Sequence, residues 1–170
     1  GAAAPDGSII VGGTQDNDHL RYTPGGGVQG WFQSQYGDGG FAAVDYNNPL
    51  VNYGEYVYLD IEKSIDGGVT YFGAVSGLSD AGSRNTALFI APFVMDPVDP
   101  DILYGGGESI WKTVDGAANW TLLKGPETYT HLCSAIDVAP TNTDVIWIGF
   151  NNGAVMMSDD AGASWTRVDN

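Results

Sequence analysis

Ser158-Asp159-Asp160-Ala161-Gly162-Ala163-Ser164-Trp165 carries a pattern that occurs three times in the chain, and this repeat indicates the fold. In each copy, a hydroxyl residue is followed two positions later by Asp, and the copy closes on an aromatic residue. The copies recur about every 45 to 50 residues, a period typical of repeat architectures. The residues that define them are Ser64, Asp66, Gly68, Thr70 and Tyr71 in the first copy, Thr113, Asp115 and Trp120 in the second, and Ser158, Asp160, Gly162, Ser164 and Trp165 in the third.

Each copy predicts a tight hairpin. The Asp and Ser or Thr side chains can accept hydrogen bonds from nearby backbone N–H groups, and glycine supplies a positive φ. The closing aromatic residue then begins the next strand and packs into the core. The repeated motif is therefore a fold signature before it is a functional one.

The composition indicates an all-β protein. The chain has 170 residues, 25 glycines and 12% aromatic residues, and no stretch carries the apolar spacing of a helix. Ahead of each copy, which we call a box, stands an apolar strand that ends in Asp45, Asp96 or Asp137, followed by a turn and a second strand. Four short strands per unit predict the blades of a β-propeller, whereas a two-sheet sandwich fits the strand content but not the repeat.

The repeats divide the chain into an incomplete leading blade, 1–40, and three full blades, 41–86, 87–130 and 131–170. The leading blade shows three strands, 8–13, 20–23 and 31–35, so its innermost strand is predicted to be missing. Propellers close with about four to eight blades, and a terminal blade face without a neighbour is costly. We therefore expect a segment of a larger propeller, whose remaining blades lie on the same precursor or on another chain.

The charge is strongly acidic, with 21 acidic residues against six basic ones and a net charge of −15. A nucleic-acid partner would need a basic face, so this class is excluded. Charge spread along the whole chain indicates a well-solvated surface, and cation binding is the alternative. No apolar stretch is long enough for a membrane helix. The lone Cys133 and the separated His19 and His131 predict neither a disulfide nor a zinc site.

The three boxes resemble the Asp-box, or bacterial neuraminidase repeat, of sialidases, sortilin-like proteins and xyloglucanase-type hydrolases. Two further segments resemble secreted bacterial sortilin-like or "glycosyl hydrolase" repeat proteins: the run 12–17 with 37–45, and the run 91–97 with 103–107. Two residues depart from the pattern, since Asp18 stands where the group favours Gly and Ala117 replaces a box glycine.

The resemblance implies a structural role for the boxes and a large, exported, multi-blade protein. It also implies glycan or protein binding at the cell surface or in an extracellular assembly, without an established reaction. We therefore expect a secreted binding or scaffold module. A glycoside hydrolase of the Asp-box propeller type is the alternative.

Two loops supply the candidate chemistry. Asp16 and Asp38 could serve as the acid and base of glycoside hydrolysis, and Asp16 and Asp18 could bind calcium through hard oxygen ligands. The alternative is that these side chains bond the backbone of their own turns. No other cofactor is predicted. The arginine cluster of a sialidase is not expected, because Arg21, Arg84 and Arg167 fall in unrelated positions.

Aromatic side chains offer a carbohydrate-binding interpretation, because they can stack on sugar rings. The candidates are Tyr22, Trp31, Tyr36, Tyr56, Tyr58 and Trp111. The alternative is packing between blades, which strand alternation favours for Tyr53, Tyr104, Trp147 and Trp165.

Overall fold

Short strands joined by tight turns make up the computed structural model, which describes residues 1–34, 37–126 and 131–169. The strands form four antiparallel four-stranded sheets, each built from consecutive strands. The first sheet contains Ala2–Ala3 (β1), Ile10–Thr14 (β2), Asp18–Tyr22 (β3) and Trp31–Gln33 (β4), and the second contains Ala42–Val44 (β5), Asn52–Glu55 (β6), Ile61–Ser64 (β7) and Phe72–Gly73 (β8). The third contains Phe93–Met95 (β9), Leu103–Gly106 (β10), Ile110–Thr113 (β11) and Thr121–Lys124 (β12), and the fourth contains Cys133–Val138 (β13), Ile146–Phe150 (β14), Val155–Ser158 (β15) and Thr166–Arg167 (β16).

The prediction of a three-stranded leading sheet is wrong. Ala2 and Ala3 pair with Val11 and Ile10 and supply the innermost strand. A strand of two small residues carries no alternation, so the sequence pattern could not reveal it. The all-β class and its four-stranded units are confirmed.

The first strands of the four sheets, β1, β5, β9 and β13, lie side by side in chain order. This arrangement is that of propeller blades around a common axis, and we number the sheets as blades 1 to 4. Apolar side chains fill the spaces between neighbouring blades. Val11 and Val44 pack between blades 1 and 2, Leu59 and Trp120 between blades 2 and 3, and a further cluster between blades 3 and 4. The described blades thus form a partial β-propeller.

Antiparallel order places the box hairpins at one end of the blades, which we call the box face. The turns between second and third strands, and the connections between blades, lie at the opposite end, which we call the loop face. Because each blade's second strand ends at the loop face, residues 13–14 and 55 come close to the connections 37–41 and 89–91.

Neighbouring blades are joined by a repeated contact on the box face. Arg21 of blade 1 donates from Nε to the backbone oxygen of Gly67 in the box of blade 2. In the next pair, Lys63 donates to the backbone oxygen of Gly116 at 2.7 Å, and the Tyr53 hydroxyl donates to the same oxygen at 3.2 Å. A side chain on the third strand therefore fixes the box of the following blade.

The aromatic residues divide differently from the prediction. Tyr53 and Tyr104 are buried as expected, but Trp147 at the equivalent position of blade 4 is 43% exposed. The tryptophan faces away from blade 3, and no described blade covers it. Trp111 is buried, so it cannot stack on a ligand. The candidate Tyr36 lies outside the described residues.

No helix long and apolar enough to cross a membrane occurs in the described ranges.

Candidate functional site

Each box hairpin is stabilised by hydrogen bonds among its own residues. Ser64 is buried, and its hydroxyl donates to Asp66 Oδ1 at 2.8 Å and accepts from the backbone N–H of Gly68 at 2.8 Å. Asp66 also accepts from the Thr70 N–H at 2.9 Å and from the Thr70 hydroxyl at 2.7 Å. Bonds from Thr70 and Ser64 lower the pKa of the exposed Asp66 carboxyl to about 2.

The other boxes repeat this geometry. In blade 3, Thr113 bonds Asp115 at 2.8 Å and accepts from the N–H of Ala117 at 3.1 Å. In blade 4, Ser158 and Ser164 bond Asp160 at 2.8 and 2.6 Å. The Asp, Ser and Thr side chains of each box bond within the hairpin, which is the chemistry of a turn.

Both departures from the family pattern lie at left-handed residues. Asp18 has a φ of 50° and Ala117 a φ of 64°. Glycine adopts this conformation without strain, so a glycine would suit either position.

Asp16 and Asp38 meet at the loop face, but through one backbone group. Asp38 Oδ1 accepts the backbone N–H of Asp16 at 2.8 Å. Asn17 donates from its side chain to the backbone oxygen of Gln15 at 3.2 Å, within the hairpin between β2 and β3. The Oδ2 atom of Asp38 accepts no hydrogen bond from the described residues, so this atom can receive a ligand donor.

Asp18 lies inside β3 and is buried, whereas the sequence places it in a loop. Its Oδ1 atom is 2.7 Å from His19 Nδ1, and both side chains are almost fully buried. The His19 ring packs on the Tyr71 ring with centroids 5.7 Å apart and fits against Gly54 of the next blade. Among the described residues, no group of three or more His, Cys, Asp or Glu side chains is arranged to hold a metal ion. Calcium at Asp16 and Asp18 stays a hypothesis.

Glu55 is the polar residue that sequence reasoning missed. It ends β6, is fully buried, and accepts three backbone N–H groups from three segments: Ala91 at 2.7 Å, Leu59 at 3.2 Å and Phe41 at 3.3 Å. Burial raises the pKa of the Glu55 carboxyl to about 7, while these N–H groups and His19 act in the opposite direction. The sequence offered one signal for Glu55, a charged residue at the end of an apolar strand.

A groove opens on the loop face between blades 1 and 2 and the connection to blade 3. Its cavity volume is about 340 Å³, and a neighbouring hollow of about 290 Å³ shares three of its lining residues. We call this surface the loop-face groove. Its lining residues are Gly13, Thr14, Gln15, Asp38, Gly39, Phe89 and Ile90, and the hollow adds Gly1, Gly40 and Phe41.

The glycine-rich loop forms the floor of the groove because backbones meet there without side chains. A Cβ atom on Gly13 would overlap Gly40 O, and a Cβ atom on Gly39 would overlap Asp18 O. The Gly39 N–H donates to Thr14 O at 3.0 Å and the Gly40 N–H donates to Glu55 O at 2.7 Å. The Gly37-Asp38-Gly39-Gly40 run is therefore required by close packing of two blades.

The opposite wall is apolar and exposed, since Phe89 is 46% exposed and Ile90 37%. Phe41, which follows the glycine floor and lines the adjoining hollow, is 40% exposed. Phe89 is positioned by Tyr58, whose ring packs edge-on against it at 5.5 Å and whose N–H donates to Phe89 O at 3.1 Å. The groove thus combines aromatic surface with one carboxylate, one amide side chain and backbone groups.

Comparison with known proteins agrees on the fold. No family model matches the chain, and no curated protein matches its sequence. Solved structures do match. The GH74 xyloglucanase from Xanthomonas campestris superposes with a TM-score of 0.74 at 17% identity, over 99% of this chain and 30% of its own.

Two other structures extend this picture. An ancestral GH74 enzyme has a TM-score of 0.74 at 12% identity, over 99% of this chain and 23% of its own. YCF48 bound to D1 peptide has a TM-score of 0.52 at 13% identity, over 98% of this chain and 44% of its own. The chain therefore spans a quarter to under half of the length of these proteins, and the likeness establishes the β-propeller class.

Proposed function

We propose that this chain is a segment of an exported β-propeller that binds a neutral glycan in the loop-face groove. The observation that carries the proposal is that exposed Phe89 lies across one groove from Asp38, whose Oδ2 atom accepts no hydrogen bond from the described residues. An aromatic face stacks on the apolar side of a sugar ring, and a carboxylate oxygen accepts its hydroxyl protons.

Charge narrows the ligand class. The described residues that line the groove include no basic side chain, and the chain carries a net charge of −15. An anionic glycan or acidic peptide would be repelled, so a neutral polysaccharide is favoured. Two of the similar structures are GH74 enzymes, one of them a xyloglucanase, which supports a glucan as the first ligand to test. Export is supported by the acidic composition and by the Asp-box resemblance.

Titration with xyloglucan and cello-oligosaccharides, followed by calorimetry, tests the proposal. We expect saturable binding that weakens at least about ten-fold in Phe89→Ala and in Asp38→Asn, since losing one stacked ring or one charge-assisted bond costs on the order of 1.4 kcal/mol or more. Phe72→Ala is the matched control, because Phe72 is 49% exposed on the outer strand of blade 2, away from the groove. Absence of binding, or equal loss in all three variants, contradicts the proposal. Immunoblotting of cell and medium fractions tests export.

A glycoside hydrolase is the second candidate, and the two GH74 enzymes favour it. Hydrolysis needs two carboxylates on either side of the scissile bond. The described groove lining contributes Asp38, and Asp16, whose backbone N–H donates to Asp38 Oδ1, is the candidate for the second carboxylate. Turnover of xyloglucan that disappears in Asp38→Asn, with binding retained, would favour this candidate over the binding module.

We also propose that further box-bearing blades complete the propeller and that one of them covers blade 4. Tyr53 and Tyr104 occupy the same register as Trp147, and each is buried by the box of the following blade. Hydroxyl-radical footprinting of the native protein tests this. We expect Trp147 to be as protected as the buried Trp120, whereas rapid oxidation of Trp147 alone would contradict a covering blade.

A further inference from the structure

Glu55 lies beneath the loop-face groove and touches both of its walls. Through Oε2 it accepts the N–H of Phe41, which follows the glycine floor. Through Oε1 it accepts the N–H of Ala91, next to Phe89 and Ile90 in the opposite wall. The same oxygen accepts the N–H of Leu59, which adjoins Tyr58, the residue that packs against Phe89.

These three segments are far apart in sequence, and the part of the chain described by the structure gives them no other shared polar side chain. A carboxylate is suited to this role because its two oxygens offer about four acceptor positions and its bonds to N–H groups are charge-assisted. An apolar residue here would leave three N–H groups without a partner.

We propose that Glu55 is a positioning residue that clamps the two walls of the loop-face groove together, so that ligand affinity depends on its carboxylate. The inference rests on the proposed function for its ligand, but the clamp itself is a property of the chain. Glu55 does not line the groove and does not touch a ligand there.

Several ionisable side chains lie on the segments that surround Glu55. β3 contributes His19 paired with Asp18, and the loop 37–40 contributes Asp38. The turn 56–60 contributes Tyr56, Tyr58 and Asp60, and the segment 89–91 contributes no titratable group. Of these, His19 lowers the pKa of the Glu55 carboxyl.

The Glu55→Gln variant distinguishes a local clamp from a general effect on the stability of the fold. The amide has one acceptor oxygen where the carboxylate has two, so at least one of the three N–H groups loses its partner. At pH 8.5 we expect amide-exchange protection to fall about ten-fold at Phe41 or at Ala91, while the Leu103 amide in the core keeps its protection. Glycan affinity should fall at least about five-fold.

Global stability should move the opposite way. Because burial raises the Glu55 pKa from 4.5 to about 7, the folded state releases its proton only at the upper end of that interval, and stability falls as pH rises through it. A neutral Gln avoids this cost at pH 8.5, and this gain offsets the loss of an N–H partner, so the urea midpoint of Glu55→Gln should be equal or higher. Loss of affinity with an undiminished midpoint is a result that a purely structural role would not give. Glu108→Gln, also at a loop-face turn, is the matched control.

The wild-type protein provides a second measurement if the variant does not fold. Protection at Phe41 and Ala91, relative to Leu103, should rise between pH 5.5 and pH 8.5 as the carboxylate forms. Unchanged protection in Glu55→Gln, or a flat wild-type profile, overturns the clamp. If wild-type protein binds no glycan, the proposed function fails, and exchange alone then decides for or against the clamp.

Discussion

Replacing Ser64 by Ala removes the centre of the blade 2 box. The buried hydroxyl makes two bonds of 2.8 Å, to Asp66 Oδ1 and from the Gly68 N–H, and a longer one of 3.3 Å from the Asp66 N–H. Each good bond contributes about 0.5 to 1.5 kcal/mol, and a buried N–H left without a partner adds about 1 to 3 kcal/mol. We therefore expect the free energy of unfolding to fall by about 2 to 3 kcal/mol.

Thr70→Val provides the matched control because Thr70 bonds the same carboxylate from the exposed side, at 2.7 Å. Its loss should cost less than about 1 kcal/mol, since water can replace an exposed partner. Urea unfolding measures both, and 2 kcal/mol corresponds to about 4 to 8 °C in melting temperature for a chain of this size. Equal losses in the two variants, or a loss below about 0.5 kcal/mol in Ser64→Ala, would refute the assignment of stability to the buried hydroxyl.

Three further predictions follow from single contacts. Gly54→Ala should lower the free energy of unfolding, measured in urea, by about 1 to 3 kcal/mol or more, because the new Cβ atom would overlap the buried His19 ring. Gly149→Ala should lower it by less than half as much, because the nearest atom to its Cβ would be 3.7 Å away. Burial raises the pKa of the Cys133 thiol to about 12, so a disulfide reagent at pH 8 should react only after unfolding, and rapid native reaction would show an exposed thiol. The pKa of Asp66 is lowered from 3.8 to about 2, so the stability that its carboxylate contributes is complete above pH 4 and disappears as pH falls toward 2. Asp66→Asn should therefore flatten the dependence of melting temperature on pH in this range. A variant profile parallel to that of the wild-type protein would contradict this.

The sequence reveals the boxes because their chemistry is local. Ser64 and Thr70 are six positions apart, and all of the polar bonds between them close within one hairpin. Turn residues at a fixed spacing therefore predict both the hairpin and the repeated blade. The same locality explains why the resemblance identifies the fold without identifying a ligand.

The sequence misplaces features that depend on neighbours. Ala2 and Ala3 form a strand only because Val11 and Ile10 offer an edge, and Trp111 is buried only because blades 2 and 3 meet. Trp147 has the pattern of a core residue, yet it is exposed because no described blade packs against its face of blade 4. No local sequence pattern predicts these contacts.

By itself, then, the sequence determined the all-β class, the box hairpins and the four repeated units, since turn chemistry and strand alternation act over a few residues. The candidate site, in contrast, depends on contacts between distant segments. The tertiary structure brings Glu55 to Ala91, 36 positions away, and seats His19 against Gly54 of another blade. The groove exists where these long-range contacts join two blades, because a buried carboxylate must find its N–H partners wherever the packed backbone supplies them.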